Sequence, residues 1–280
     1  MDAQSPMLNQ MTAKSSRPAV FFDLDKTIIA KSSTLAFSKP FFDGGLINRR
    51  SVLRSAYAQF VFASSGADQD QMDKMRRYLA QLVTGWDVDV VRQSVAETLH
   101  TIIDPLVYEE AVQLIEEHQE AGRDVIIVSA SGSEIVEPIG SMLGADHVIA
   151  TKLVEQDGKY TGEIEFYAYG ENKATAMQDL ADELGYDLER SYAYSDSETD
   201  APMLSIVGNP FAVNPDKSLR RIAEEEGWPI LTFNHPVPMH HRLGLGTPAG
   251  KAAAGVVVVG AAAAIGAAVF SRKRNRRSKA

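Results

Sequence analysis

The chain contains no cysteine in its 280 residues. That excludes a disulfide framework, a thiol nucleophile and a thiolate zinc site. It fits a reducing compartment without proving one. An apolar core is also missing from the first sixteen residues, MDAQSPMLNQMTAKSS. No secretory signal is read there, and the segment is expected to be a disordered leader. A basic body is missing too. The last ten residues, SRKRNRRSKA, hold six of the 28 Lys and Arg and no acid, which leaves 22 basic against 37 acidic side chains in the rest. Nucleic-acid affinity comes mostly from neutralising phosphates, so no nucleic-acid partner is expected. An acidic body can still take a small phosphorylated substrate if a divalent cation bridges the charges. Hydrophobic residues at 45% and charged residues at 23% are ordinary for a globular chain of one large or two smaller domains.

An alternation of strands and helices organises the rest. Ala19–Phe22 is a short apolar run and reads as a buried strand. Similar runs stand at 124–128, 191–194 and 208–213, with a further one at 229–233. Helical stretches at about 105–121, 133–143, 172–185, 200–206 and 216–226 separate them. This is the pattern of an α/β fold, a Rossmann-like, mostly parallel sheet flanked by helices. The interval 33–104 breaks the alternation with amphipathic stretches such as 50–63 and 68–83, and reads as a helical insertion after the first strand. Strands at 148–153 and 160–166 flank Asp157-Gly158, a strong hairpin signal.

Residues 234–250 are rich in Pro, Gly and His and read as a linker; His235, His240 and His241 there are expected to be solvated. The segment 252–270 carries no charge and would span about 28 Å as a helix, close to a bilayer core. A transmembrane helix is expected there, holding a cytoplasmic catalytic domain at a membrane. A peripheral helix or a disordered tail are the alternatives. The positive-inside tendency would keep 271–280 cytoplasmic. The expected division is therefore 17–32 with 105–233 as catalytic core, 33–104 as insertion and 234–280 as linker, helix and tail.

The chemistry is concentrated where strands end. Asp23-Leu24-Asp25-Lys26-Thr27 follows the first strand, and ligands of open α/β sheets bind beyond the carboxyl ends of strands. Two acids two apart leave one to attack and one to move protons. Taken alone, an Asp-x-Asp is more often a surface turn. Ser129 follows Val125–Val128, where its hydroxyl and the amides of Ala130-Ser131-Gly132 could hold an anion; alone it reads equally as a helix cap. Lys173 opens a predicted helix, a place unfavourable for a cation. Asp196 and Asp200 follow the run at 191–194 and suit Mg²⁺, which prefers oxygen ligands. Their bland reading is an acidic first turn of a helix.

Together, DLDKT at 23–27, VIIVS at 125–129, Lys173 and SDSETD at 195–200 resemble the four ordered motifs of the haloacid dehalogenase-like (HAD) hydrolase superfamily. The insertion between the first two resembles the helical cap of its phosphoserine phosphatase-like branch, subfamily IB. The textures DLDKTIIAKSS, YSDSETDAPML and AVNPD resemble that branch too, over residues 17–233. The resemblance implies a phosphatase with an aspartyl-phosphate intermediate. Asp23 would be the nucleophile and Asp25 the general acid and base. Thr27 would support the loop and, with Ser129 and Lys173, serve the phosphate. Asp23, Asp196 and the main-chain carbonyl of Asp25 would hold Mg²⁺, with Asp200 orienting the metal shell. An acid two residues after the nucleophile marks the phosphatases and mutases of the superfamily; its dehalogenases lack it and its transport ATPases have Thr there.

Phosphoserine phosphatases typically carry a glutamate soon after the first motif, whereas this chain has no acid from Lys26 until Asp43. Lys31, or Arg49, Arg50 and Arg54, are candidates to face an acidic leaving group instead. Substrates therefore range over small phosphorylated metabolites and lysophospholipids. The rival readings are a phosphotransferase or mutase of the same chemistry and a membrane-tethered regulatory binding protein.

Overall fold

The computed structural model describes residues 16–46, 77 and 80–236. In chain order the main elements are β1 (Val20–Phe22), α1 (Ser33–Ala36), α2 (Ser38–Asp43), α3 (Val88–Ile103), α4 (Glu109–Glu120), β2 (Val125–Gly132) and α5 (Ser133–Leu143). They continue with β3 (His147–Gln156), β4 (Lys159–Phe166), α6 (Glu171–Leu184), β5 (Tyr192–Ser195), α7 (Ala201–Ser205), β6 (Asn209–Val213), α8 (Lys217–Glu226) and β7 (Ile230–Leu231).

The strands form one seven-stranded sheet in the order β4-β3-β2-β1-β5-β6-β7. β1 lies at its centre, parallel to β2 on one side and β5 on the other. Strand order reverses at that point, and the crevice at such a switch is where this architecture binds ligands. The expected mostly parallel sheet is present; β4 alone among the described strands pairs antiparallel. The hairpin before it turns on Asp157 (φ 53°) and Gly158 (φ 73°), both left-handed, as a two-residue turn of this kind requires.

Side chains alternate across the sheet with period two. Val20, Phe22, Val125, Ile127 and Tyr194 enter one core with α3, α4 and α5. Ala19, Phe21, Ile126, Val128 and Ala193 enter the other with α6, α7 and α8. Burial on both faces explains why these strands read as unbroken apolar runs.

Two expected boundaries differ. The helix expected from about 105 starts at Glu109, because Asp104–Leu106 forms a 3-10 turn and Val107–Tyr108 is extended beside the outgoing chain. Ala30 N–H donates to the Leu106 carbonyl at 2.8 Å, and Tyr108 N–H to that of Ile28 at 2.9 Å. These two segments are the crossings between the core and the insertion. Residues 234–236, expected to begin a linker, join them through an isolated bridge: Tyr108 pairs with Pro236, and Glu109 N–H donates to the His235 carbonyl at 2.8 Å. The Glu110 carboxylate accepts from Asn234 N–H and contacts His235 Nδ1, each at 2.9 Å.

The leader 1–15, the stretch 50–63, most of 68–83, Arg49, Arg50, Arg54, His240, His241, the rest of the expected linker, the apolar segment 252–270 and the basic tail lie outside the described residues. Among the described residues no helix is long and apolar enough to cross a membrane.

Candidate active site

All seven expected site residues stand at the carboxyl ends of β1, β2 and β5 or near the start of α6. After β1 the chain turns tightly on one carbonyl: Leu24 accepts from the N–H groups of Ile28 and Ile29 at 3.0 and 3.1 Å, and Lys26 is left-handed at φ 62°. The turn folds Thr27 back so that its hydroxyl donates to Asp23 Oδ2 at 3.2 Å. Asp23 is thereby fixed at the strand's end.

Lys173 reaches this carboxylate from the first turn of α6. Its Nζ donates to Asp23 Oδ1 at 2.7 Å and to Asp200 Oδ2 at 2.8 Å. The three side chains are 8% exposed or less. The cation that looked misplaced at a helix start is thus held by two carboxylates. Gly170, one residue before α6, takes φ 56° and ψ −129°, a conformation essentially restricted to glycine. It aims the first turn of α6 at Asp23.

Asp200 Oδ2 also accepts from the Ser195 hydroxyl at 2.7 Å. Its Oδ1 is buried without a hydrogen-bond partner among the described residues. Asp196 is buried, and its nearest cation is the exposed Lys26 ammonium at 3.7 Å. Asp216 braces the loop between them, donating its N–H to the Asp196 carbonyl at 2.8 Å and accepting from Glu198 N–H at 3.0 Å.

Asp25 faces a different set of groups. Its Oδ1 accepts from Ser33 N–H at 2.8 Å and its Oδ2 from the Ser131 hydroxyl at 3.0 Å. Ser129 is buried, and its hydroxyl accepts from Ser131 N–H at 3.2 Å. β2 was expected to stop at Val128. It runs to Gly132 with a register shift against β3 between Ser129 and Gly132. The Ser131 amide, expected to be free for an anion, is occupied by Ser129.

Charge is unbalanced at this site. Asp23, Asp196 and Asp200 bury three carboxylates around one buried ammonium. Burial pushes the Asp23 carboxyl up to about 8; Lys173 opposes this, and Asp200 and Asp196 add to it. Burial pushes Asp196 up to about 6 against the pull of Lys26. Burial works against the Lys173 charge, but Asp23 and Asp200 outweigh it and hold the ammonium charged. Three buried carboxylates around one buried ammonium and an orphaned Asp200 oxygen, in an all-oxygen donor set, fit a hard divalent cation. Among the described residues no three His, Cys, Asp or Glu side chains converge as a ready cage. Mg²⁺ does not require one, since it binds through one or two carboxylates with water and substrate oxygens. Asp23, Asp196 and the main-chain carbonyl of Asp25 are compatible with that.

Sequence reasoning missed the side-chain roles of Ser33, Ser131, Ser195 and Asp216, although the last two fall in the SDSETD and AVNPD stretches. Ser195 carried a signal, since it directly precedes Asp196 at a strand end. The sequence points to Ser131 only through its amide, and Ser33 is 98 positions away from it.

Residues 20–205 match the family described as haloacid dehalogenase-like hydrolase. A Streptomyces azureus protein named for inhibition of morphological differentiation is 60% identical over 93% of this chain and 95% of its own length. A phosphoserine phosphatase of Mycobacterium tuberculosis is 32% identical over 92% of this chain and 82% of its own. A crystal structure of a Bordetella pertussis protein of unknown function superposes with a TM-score of 0.70 at 27% identity, over 78% of this chain and 99% of that one.

Proposed function

Because the chain belongs to the haloacid dehalogenase-like hydrolases and is a phosphatase, we propose that it hydrolyses small phosphomonoesters through a phosphorylated Asp23. The observation that carries this reading is the buried Lys173 ammonium bridging Asp23 and Asp200, with Asp25 two residues on and turned to other partners. One carboxylate is thereby fixed for attack and drawn toward its charged form by the ammonium, while the other is free of the ammonium and able to carry a proton.

In the first step an Asp23 oxygen attacks phosphorus and the ester P–O bond breaks. Asp25 gives its proton to the departing oxygen, and the alcohol leaves. Asp25, now a carboxylate, takes a proton from water as that water's oxygen attacks phosphorus. The bond to Asp23 breaks with its electron pair returning to the carboxylate, and orthophosphate leaves. Lys173, Ser129 and Thr27 hold the phosphoryl oxygens, positioning being most of what this transfer needs. Mg²⁺, held by Asp23, Asp196 and the Asp25 carbonyl, would offset the excess negative charge and draw charge from the phosphoryl group.

The start of the helical insertion reaches this site through Ser33 and Thr34. With no acid between Lys26 and Phe42, the chain has no carboxylate there to hold a substrate ammonium. Its substrate is therefore a small phosphorylated metabolite or lysophospholipid without that requirement. The test is phosphate release from p-nitrophenyl phosphate, phosphoserine, lysophosphatidic acid and sugar phosphates, with Mg²⁺ or EDTA. Mg²⁺-dependent release that Asp23→Asn abolishes is expected. Release that survives Asp23→Asn would overturn the mechanism, and a preference for phosphoserine would overturn the substrate reading.

A further inference from the structure

Asp25 is held by two serines from separate parts of the fold. Ser33 opens the insertion and Ser131 lies near the end of β2; both are buried. The Ser131 hydroxyl contacts three groups: Asp25 Oδ2 at 3.0 Å, Ser33 Oγ at 2.8 Å and Thr34 Oγ1 at 3.0 Å. A serine hydroxyl has one proton and two acceptor sites. Those three contacts use all of them if Ser131 donates to Asp25 and accepts from Ser33 and Thr34.

The two oxygens of Asp25 are consequently unequal. Oδ1 accepts from the Ser33 main-chain N–H, which can only donate. A protonated carboxyl oxygen is a poor acceptor, so the proton Asp25 carries belongs on Oδ2. When it does, Ser131 can turn its own proton toward Ser33 or Thr34 and accept from Oδ2 at rest, releasing that proton when a leaving oxygen competes for it. The hydroxyl chain serves either protonation state without moving a heavy atom.

Resting on the phosphatase reading, we propose that Ser131, together with Ser33, is a positioning residue for Asp25: it holds Oδ2 where its proton reaches the leaving oxygen. The contact from Ser33 also makes this alignment depend on the seating of the insertion, since the first turn of α1 supplies half of the clamp.

The experiment compares phenyl phosphate with p-nitrophenyl phosphate as substrates of the full chain with Mg²⁺. p-Nitrophenolate departs without a proton, whereas phenolate benefits from one. kcat/KM covers only the steps through departure of the alcohol, so it isolates the acid role of Asp25 from its later role as base. Misplacing a catalytic group costs on the order of 100-fold, within the usual range for acid–base catalysis. Ser131→Ala is expected to lower kcat/KM for phenyl phosphate about 10- to 100-fold and to change that for p-nitrophenyl phosphate much less. Ser131→Thr, which restores the hydroxyl, recovers the phenyl phosphate rate. Ser33→Ala, which keeps the N–H, gives a smaller loss of the same pattern and carries the test if Ser131→Ala does not fold. Equal losses on both substrates, or none, would overturn the inference while leaving the phosphatase reading intact. A wild-type chain inert on both substrates would sink the two together.

Discussion

Replacing Lys173 with methionine removes the ammonium and little else. Methionine keeps much of the length and the apolar stem. The change strips one donor from Asp23 Oδ1 and another from Asp200 Oδ2. The Lys173 and Asp200 side chains are each 3% exposed, so water cannot replace the lost contacts and solvent screening offers no discount. Removing one partner of a buried pair costs about 3–5 kcal/mol. At about 2–4 °C per kcal/mol for a domain of this size, the melting temperature falls by about 6–20 °C. The loss also has a definite pH dependence. Lys173 is what holds the Asp23 carboxyl down against burial and its acidic neighbours. Without it, ionised Asp23 is penalised most near pH 8, while near pH 5 a bound proton relieves the penalty. Scanning calorimetry of both proteins in EDTA at those two pH values measures this. A variant melting within about 2 °C of wild type near pH 8 would refute the reasoning, as would a larger loss near pH 5.

Three further outcomes follow from the same geometry. In EDTA the wild type loses stability as pH rises from about 4 to about 8, because the folded-state carboxyls of Asp23 and Asp196 are raised to about 8 and about 6; added Mg²⁺ should raise the melting temperature more at the upper end, and an equal rise at both ends would contradict it. Burial and Arg123 depress the His118 imidazole to about 3, so its contribution is present above about 6.5 and lost as pH falls through that window. His118→Gln should flatten this acid limb in melting curves, and an unchanged limb would remove His118 from the account. Gly170→Ala should cost about 1–3 kcal/mol from its backbone conformation and lower kcat by displacing Lys173; unchanged melting would show that the backbone there adapts.

The parts of the fold legible in the sequence are those where local pattern and tertiary burial agree. β1 reads as a buried run because both of its faces are covered, and α5 occupies the expected 133–143 because Gly144 follows it in the left-handed conformation. Lys173 stood out by breaking a local electrostatic rule, and its two carboxylate partners explain the breach. Ser131 and Ser33 broke no rule. Their role comes from contacts across 98 positions, which neither periodicity nor spacing encodes. The start of α4 was misplaced for a related reason. Val107–Tyr108 has no strand signature of its own and is extended because Ile28–Ala30 runs beside it.

Residues 234–236 lie on the two crossings rather than on the sheet. A tether fixed to the chain beyond Pro236 would therefore transmit tension first to Tyr108 and Glu110, at the joint between insertion and core. A tether at Arg17 would instead load the Asp124 carboxylate at the opposite end of β2, through two contacts of 2.8 and 2.6 Å. Mechanically, Arg17 and Pro236 are not equivalent handles: one grips the sheet, the other the joint.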